Sequence, residues 1–190
     1  MDAIELLLKR VSVPRLQEPA PTAEQLDVML CAALRSPDHG QIRPWRFLTI
    51  GGDDRQALGE LFVKGLLITT ADANSELIEK TRAMPLRAPL VLVVIARITE
   101  HPKVPAHEQL LAAGCAAHAI LLAAHAQGVG AVWRTGNVAQ MPLVNSGLGL
   151  SDHEQIVGYM YLGTPINSLR NPPYVDPAPF VAQWPSRNLD

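Results

Sequence analysis

The stretch 105–127, Pro-Ala-His-Glu-Gln-Leu-Leu-Ala-Ala-Gly-Cys-Ala-Ala-His-Ala-Ile-Leu-Leu-Ala-Ala-His-Ala-Gln, constrains this chain more than any other. Alanine and leucine dominate it, no proline follows the first residue, and Gly128 stands directly after it. Such residues favour a helix, and a glycine just past the end is the usual left-handed stop. The helix is apolar on nearly every side rather than along one stripe, so it should be the most buried helix of the fold. Its apolar runs carry His or Gln and are too short to cross a bilayer, so a globular interior is the expected setting.

A helix of that kind needs a sheet to lie on. Pro89-Leu-Val-Leu-Val-Val-Ile-Ala96 is an unbroken β-branched run, which predicts a strand covered on both faces and central in its sheet. Strands are also predicted from Trp45 to Ile50, stopped by Gly51-Gly52, from Ala131 to Arg134, and from Gln155 to Leu162 before Gly163-Thr-Pro165. Residues 2–9 read as a short helix capped by Asp2, with Glu5 in the capping-box position. Thr22 caps a second helix with Gln25 in its box; its stripe is Leu26, Met29, Leu30 and Ala33, and Pro37 ends it. Helical stretches are expected around 53–66 and 73–83. The last 25 or so residues are rich in Pro, Asn and Asp yet hold Tyr174, Phe180 and Trp184. These aromatics must dock on something, either their own subunit or a partner. No repeat or linker divides the chain, so residues 1–190 are expected to form one domain.

Composition narrows the partners. A net charge of −2 with singly scattered basic residues gives neither nucleic acid nor an anionic membrane a footing. Asp2, Glu5, Lys9 and Arg10 interrupt the first apolar stretch before it could serve as a signal peptide, which points to the cytoplasm. Cys31 and Cys115 fall in apolar helical patterns and are expected to be buried, reduced thiols.

Several chemistries are excluded by spacing. His107, His118 and His125 share a face of the long helix but lie ~10 Å or more apart at ~1.5 Å rise per residue, beyond the reach of one metal. No serine has the G-x-S-x-G context of a hydrolase nucleophile. Gly128-Val-Gly130 follows a helix and opens a strand, the reverse of a dinucleotide fingerprint, and Gly147-Leu-Gly149 lacks the third glycine. Three segments remain. Arg10-Val-Ser12 with Arg15 offers a cation and a hydroxyl suited to a phosphate. The loop Arg35-Ser-Pro-Asp-His-Gly-Gln-Ile-Arg-Pro-Trp-Arg-Phe47 holds the donors His39, Gln41 and Arg43 between prolines, able to read the polar edge of a planar ring. Gly128-Val-Gly-Ala-Val-Trp-Arg-Thr-Gly136 hands a buried helix to a short strand, and its end can present a bare backbone N–H.

Taken together, these segments resemble the nitroreductase family of FMN enzymes, in particular its small, minimal branch. The resemblance runs from the Met1-Asp-Ala-Ile-Glu-Leu-Leu-Leu opening to Tyr161-Leu-Gly-Thr-Pro165. It is closest at Ser36-Pro-Asp-His39, Pro44-Trp45, Arg87-Ala-Pro89 and Trp133-Arg134. It rests on order and spacing over one chain rather than on any single motif. The resemblance implies an α+β fold of three layers, α/β/α, with a central, mainly antiparallel sheet flanked by helices. It further implies a homodimer with exchanged C-terminal tails and FMN in the interface. It assigns the phosphate to Arg10, Val11 and Ser12. It places Arg35, Pro37, His39 and Gln41 beside the ring, and Trp133, Arg134 and Thr135 in the other half of the site, with the backbone near Thr135-Gly136 as donor to N5. The sequence departs from the family pattern at Val11, where a second arginine is common, at Pro14, which displaces the next basic residue to Arg15, and at Arg43, where glutamine is common before Pro-Trp.

The implied activity is an FMN-dependent NAD(P)H oxidoreductase. A hydride from NADH or NADPH enters at flavin N5, and an electron-poor acceptor such as a nitroaromatic or quinone is reduced in a ping-pong scheme. The cofactor carries the chemistry, so no catalytic acid or base is expected from the chain. Two other readings share the same residues: a flavin-binding or sensing module without fast acceptor chemistry, and a structural protein whose dimer is its purpose.

Overall fold

Side chains along Leu90–Arg97 alternate between two separate cores. Leu92, Val94 and Ala96 enter one, and Val91, Val93 and Ile95 enter the other, all fully buried. A strand covered on both faces needs no polar positions, which is why this run reads as continuous Val, Ile and Leu. The computed structural model describes residues 2–184.

The elements in chain order are α1 (Ala3–Lys9), β1 (Leu16–Gln17), α2 (Ala23–Ala33), β2 (Trp45–Gly51), α3 (Asp54–Thr69), α4 (Ser75–Arg82), β3 (Leu90–Arg97), α5 (Ala106–Ala126), β4 (Gly130–Arg134), α6 (Pro142–Gly147) and β5 (Glu154–Pro165). All recorded strand pairings are antiparallel. β3 lies between β2 and β5, and the far edge of β5 is taken first by β4 and then by β1. Helices α2 and α5 cover one face; α3, α6 and the turns beside them cover the other. This is the α+β, three-layer arrangement expected from the resemblance, with β3 central as its composition predicts.

Local signals explain most boundaries. Thr22 and Gln25 form the full reciprocal capping box at α2. At α1 only half of the predicted box exists: Asp2 Oδ1 accepts from the Glu5 N–H at 2.8 Å, with no return bond from the Glu5 side chain. α5 tolerates Gln109 in the core because every polar atom of that amide is satisfied. Its Nε2 donates to the carbonyls of Thr99 and Val104 at 2.8 and 3.0 Å, and its Oε1 accepts from the Thr99 N–H at 2.9 Å. Those bonds tie the loop before α5 to the helix. Between α3 and α4 the backbones nearly touch, since a Cβ on Gly59 would lie 2.3 Å from the Arg82 carbonyl oxygen.

Two expectations need correction. Cys31 and Cys115 are both exposed, not buried. α5 buries one broad face on the sheet and α2, and an uncovered stripe remains at i, i+4 and i+7: Leu111, Cys115 and His118. Cys31 sits on the outer side of α2, its thiol 3.8 Å from Asp27 Oδ2. The second correction concerns length. At 21 residues α5 is long and apolar enough to cross a membrane by length and composition, not too short as its apolar runs suggest; half of its most apolar window is buried inside the fold. The same face-dependence separates the histidines, with His118 exposed and His125 buried.

Glu154 gathers two arginines at one end of the sheet, Arg46 in a bidentate contact and Arg97 at 3.6 Å. Arg46 on β2 donates to both carboxylate oxygens of Glu154 on β5, at 2.6 and 2.9 Å. The Arg46 guanidinium holds the Glu154 carboxyl well below its usual range, at about 2. A lowered folded-state value stabilises the fold above the unfolded value of 4.5, and that contribution drains away as pH falls from 4.5 toward 2. Glu154→Gln should therefore cost about 2 kcal/mol at neutral pH, the worth of a charge-assisted bidentate contact. Thermal melts should show a loss of roughly 4–8 °C at pH 7 that narrows on acidification across that window. An unchanged melting temperature at pH 7 would sink the assignment.

Candidate functional site

Two of the three donor-rich segments lie at opposite ends of α5. Residues 10–15 lie at the C-terminal end of α5, beside β4. The Val13 N–H donates to the Ala131 carbonyl at 2.9 Å, and the Arg15 carbonyl accepts from Ile166 N–H at 3.3 Å. The Arg10 guanidinium also bears on buried His125, in the last turn of α5. Burial first, and the Arg10 charge second, lower the pKa of that imidazole and keep it neutral.

Residues 35–43 lie at the opposite end. His39 Nδ1 is 2.7 Å from Glu108 Oε2 in the first turn of α5. From Glu108 to His125 is about 25 Å along a helix axis rising ~1.5 Å per residue. The sheet repeats the separation, because Trp45 pairs with Ala96 at one end of β3 while Leu162, next to Gly163, pairs with Leu90 at the other. The loop is conformationally unusual. Gly40, Gln41 and Arg43 all have left-handed φ angles of 74°, 53° and 53°, uncommon for the two non-glycine residues and costly enough to need external support. Asp38 Oδ2 supplies some of that support by accepting from the Arg43 N–H at 2.6 Å. The side chains of Arg35, Pro37, His39 and Gln41 are all exposed at this end.

The third segment borders both a packed core and a cavity. Trp133 lies across Gly158 on β5, where a Cβ would come within 2.1 Å of its Nε1, and that N–H donates to the Val157 carbonyl at 3.2 Å. Glycine at 158 is what lets the indole lie flat on the strand. Arg134 and Thr135 then line a cavity of about 730 Å3 between α3, α4 and β5, within the range of small-molecule sites. Gly136, with φ 64°, turns the chain at its rim. Two polar atoms of its lining residues, Arg134 Nε and the Tyr159 hydroxyl, are buried without a hydrogen-bond partner. Burial pushes the Tyr159 phenol far above its ordinary pKa, so it stays protonated and a donor.

A second, smaller groove of about 310 Å3 collects the first segment. Val11, Ser12 and Arg15 line it together with Asn167, Ser168 and Arg170. The Val11 side chain is buried, so only its backbone is available to a ligand. Arg170 and Asn167 were missed in the sequence, where they read as part of the aromatic tail. The polar Asn-Ser-Leu-Arg run directly after a strand end was the signal that could have found them. Thr69, Thr70 and Thr81 on the cavity wall were missed as site residues too, since they reach it only through the packing of α3 and α4, and Arg87, quoted within Arg87-Ala-Pro89, was given no role.

Comparison with known proteins agrees with this architecture. The family model described as "Nitroreductase family" matches residues 7–164. "Putative NAD(P)H nitroreductase YdjA" of Escherichia coli (strain K12) is 43% identical over 185 residues, 97% of this chain and 100% of that protein. Among solved structures, a nitroreductase-like family protein from Bacillus cereus superposes with a TM-score of 0.82 at 20% identity, covering 96% of each chain. A "putative nitroreductase in complex with FMN" from Desulfovibrio desulfuricans gives a TM-score of 0.72 at 21% identity, again covering 96% of each chain.

Proposed function

The chain belongs to the nitroreductase family, and from that premise we propose that it is an FMN-dependent NAD(P)H oxidoreductase acting as a homodimer. The observation that carries the dimer is the placement of the two donor-rich segments at opposite ends of α5. With about 25 Å between them, the residues suited to a phosphate and those suited to a ring edge cannot close on one ligand within one chain. A second copy running antiparallel would bring the loop of one beside the groove of the other.

The residues present fit the cofactor. Ser12, Arg15 and Arg170 offer a hydroxyl and two cations in one groove with no carboxylate on its wall among the described residues, a set matched to a phosphate monoester. Arg10, half-buried next to it, adds a third cation, and Val11 contributes backbone only. Trp133, Arg134 and Thr135 form one flank of the ring site, and the orphaned Arg134 Nε is a donor awaiting an acceptor. Arg35, Pro37, His39 and Gln41 of the second copy form the other flank. When bound, FMN supplies a ring that accepts a hydride from NADH or NADPH and returns electrons to a nitroaromatic or quinone. The arginines around it favour the negative charge that reduction brings, and no side chain is assigned proton transfer.

The tail supports the same assembly. Tyr174, Phe180 and Trp184 are exposed, the last at 91%. Large aromatics left so bare on their own chain are suited to crossing onto a partner. Two free, exposed cysteines suit the reducing cytoplasm. Residues 1–190 act as one FMN-binding domain in this reading, with the two cores sharing one sheet.

An absorbance spectrum of the purified protein, followed by anaerobic titration with each nicotinamide, is the direct test. A visible flavin band that bleaches on addition of NADH or NADPH is expected. Protein that stays colourless after soaking with FMN would overturn the reading. A flavin band that neither nicotinamide bleaches would instead identify a sensing module.

A further inference from the structure

The large cavity has a charge imbalance of which the cofactor reading uses only the Arg134 Nε. Arg87, in the turn before β3, and Arg134, at the end of β4, both line it, and both are half-buried. Neither has a carboxylate within ion-pair distance among the described residues, although Arg46, Arg55, Arg82 and Arg97 all do. Among the described residues no Asp or Glu lines the cavity wall. Arg87, Arg134 and Tyr161 share the wall of this one cavity, and both guanidinium groups favour the ionised form of the Tyr161 phenol against the larger effect of its burial. Next to it the buried Tyr159 hydroxyl has no acceptor. A pair of partly desolvated cations without a counter-charge is costly and settles when an anion enters. The rest of the wall is apolar and broad, with Leu66, Leu77, Met84 and Met141 among its lining, so the entering molecule should be mostly apolar with one charged end.

We propose that Arg87 and Arg134 form a carboxylate-recognition pair that selects planar electron acceptors bearing an anionic substituent. The assignment rests on the flavin oxidoreductase reading for its reaction and on the cavity for its chemistry. For a nitroarene carboxylate, the nitro group takes two electrons and two protons to give nitroso and water. NAD(P)H provides the electrons with one proton as a hydride equivalent, solvent provides the second proton, and the carboxylate leaves unchanged, having served only to orient the ring.

Benzoate and benzamide, equal in shape and different in charge, are the probes. Calorimetry on the FMN-loaded protein should show benzoate binding about tenfold or more tighter than benzamide, the scale of a charge-assisted bidentate contact. Arg87→Gln keeps most of the side-chain stem, and Arg87 makes no recorded hydrogen bond, so this variant should fold; it should bring the two probes within about twofold of each other. Arg87→Lys should restore part of the difference. In turnover, the ratio of kcat/KM for 4-nitrobenzoate over nitrobenzene should fall on Arg87→Gln by the same factor, carried by KM. Equal binding of the two probes by the wild type, or a preference that survives Arg87→Gln, would refute the pair. So would benzoate bound by FMN-free protein and expelled when FMN is added, since the arginines would then belong to the cofactor's own pocket. A benzoate preference in protein that never takes up FMN would end the oxidoreductase reading and leave the anion site standing.

Discussion

Leu111→Asp should convert a dimer to monomer and strip the flavin in the same step. Leu111 is 65% exposed on a helix whose other faces lie in the core. Its neighbours on that stripe are Gly114, Cys115 and His118, and among the described residues nothing outside the helix's own adjoining turns lies within 4 Å of where a Gly114 Cβ would be. Small and apolar residues at helical spacing on an uncovered face allow a second helix to approach closely. A carboxylate buried at such a seam without a partner costs several kcal/mol, and it enters twice in a symmetric dimer. The expected result is a sedimentation shift from dimer to monomer at micromolar protein, with little change in far-UV circular dichroism. FMN retention and NAD(P)H oxidation should drop by roughly 100-fold or more, the factor that about 3 kcal/mol implies. A flavin-loaded monomer with normal turnover would mean that one chain completes the site, and the separation along α5 would need another explanation.

How much of this was legible beforehand depends on whether a signal was local or had to come from packing. β3 was legible because a doubly covered strand writes its burial into every residue. α2 was legible because Thr22 and Gln25 sit three apart with an apolar stripe behind them. The short α6 was not foreseen, since six residues opening on Pro142 and holding Gly147 carry no period long enough to read. β1, two residues long, exists only because β5 outruns β4 and leaves Thr164 and Pro165 an open edge. The exposed cysteines were misread for a related reason: periodicity tells which residues are apolar, and on a helix apolar nearly all round it cannot say which side the sheet will take. For the site, the resemblance supplied the segments and geometry supplied their separation. Arg87 was visible within Arg87-Ala-Pro89, but its sharing one cavity wall with Arg134 depends on strand pairing, with Arg134 opposite Tyr159 on β5. The Arg46–Glu154 pair, 108 residues apart in sequence, has no local trace at all.

Arg10→Ala should separate the cofactor reading from a purely structural dimer. Arg10 has no recorded salt bridge, lies beside the groove of Ser12 and Arg170, and spends its charge on neutral His125. Its removal should relieve that imidazole and leave the flavin-free protein as stable as before, or slightly more so. In the presence of FMN the outcome reverses. A charged hydrogen bond to a phosphate is worth about 1.5–3 kcal/mol, so affinity should fall by roughly 10- to 100-fold. At an FMN concentration that is about 1,000 times the wild-type Kd, the ligand adds about 4 kcal/mol of stability, and a hundredfold weaker variant would keep only about 1.4 kcal/mol of it. Thermal melts with and without FMN read this difference directly, and Arg10→Lys, which keeps the charge but not the fork, should fall between. A dimer that melts at the same temperature with and without FMN, in wild type and Arg10→Ala alike, would return the structural reading. A full FMN-induced gain surviving in Arg10→Ala would move the phosphate away from this groove altogether.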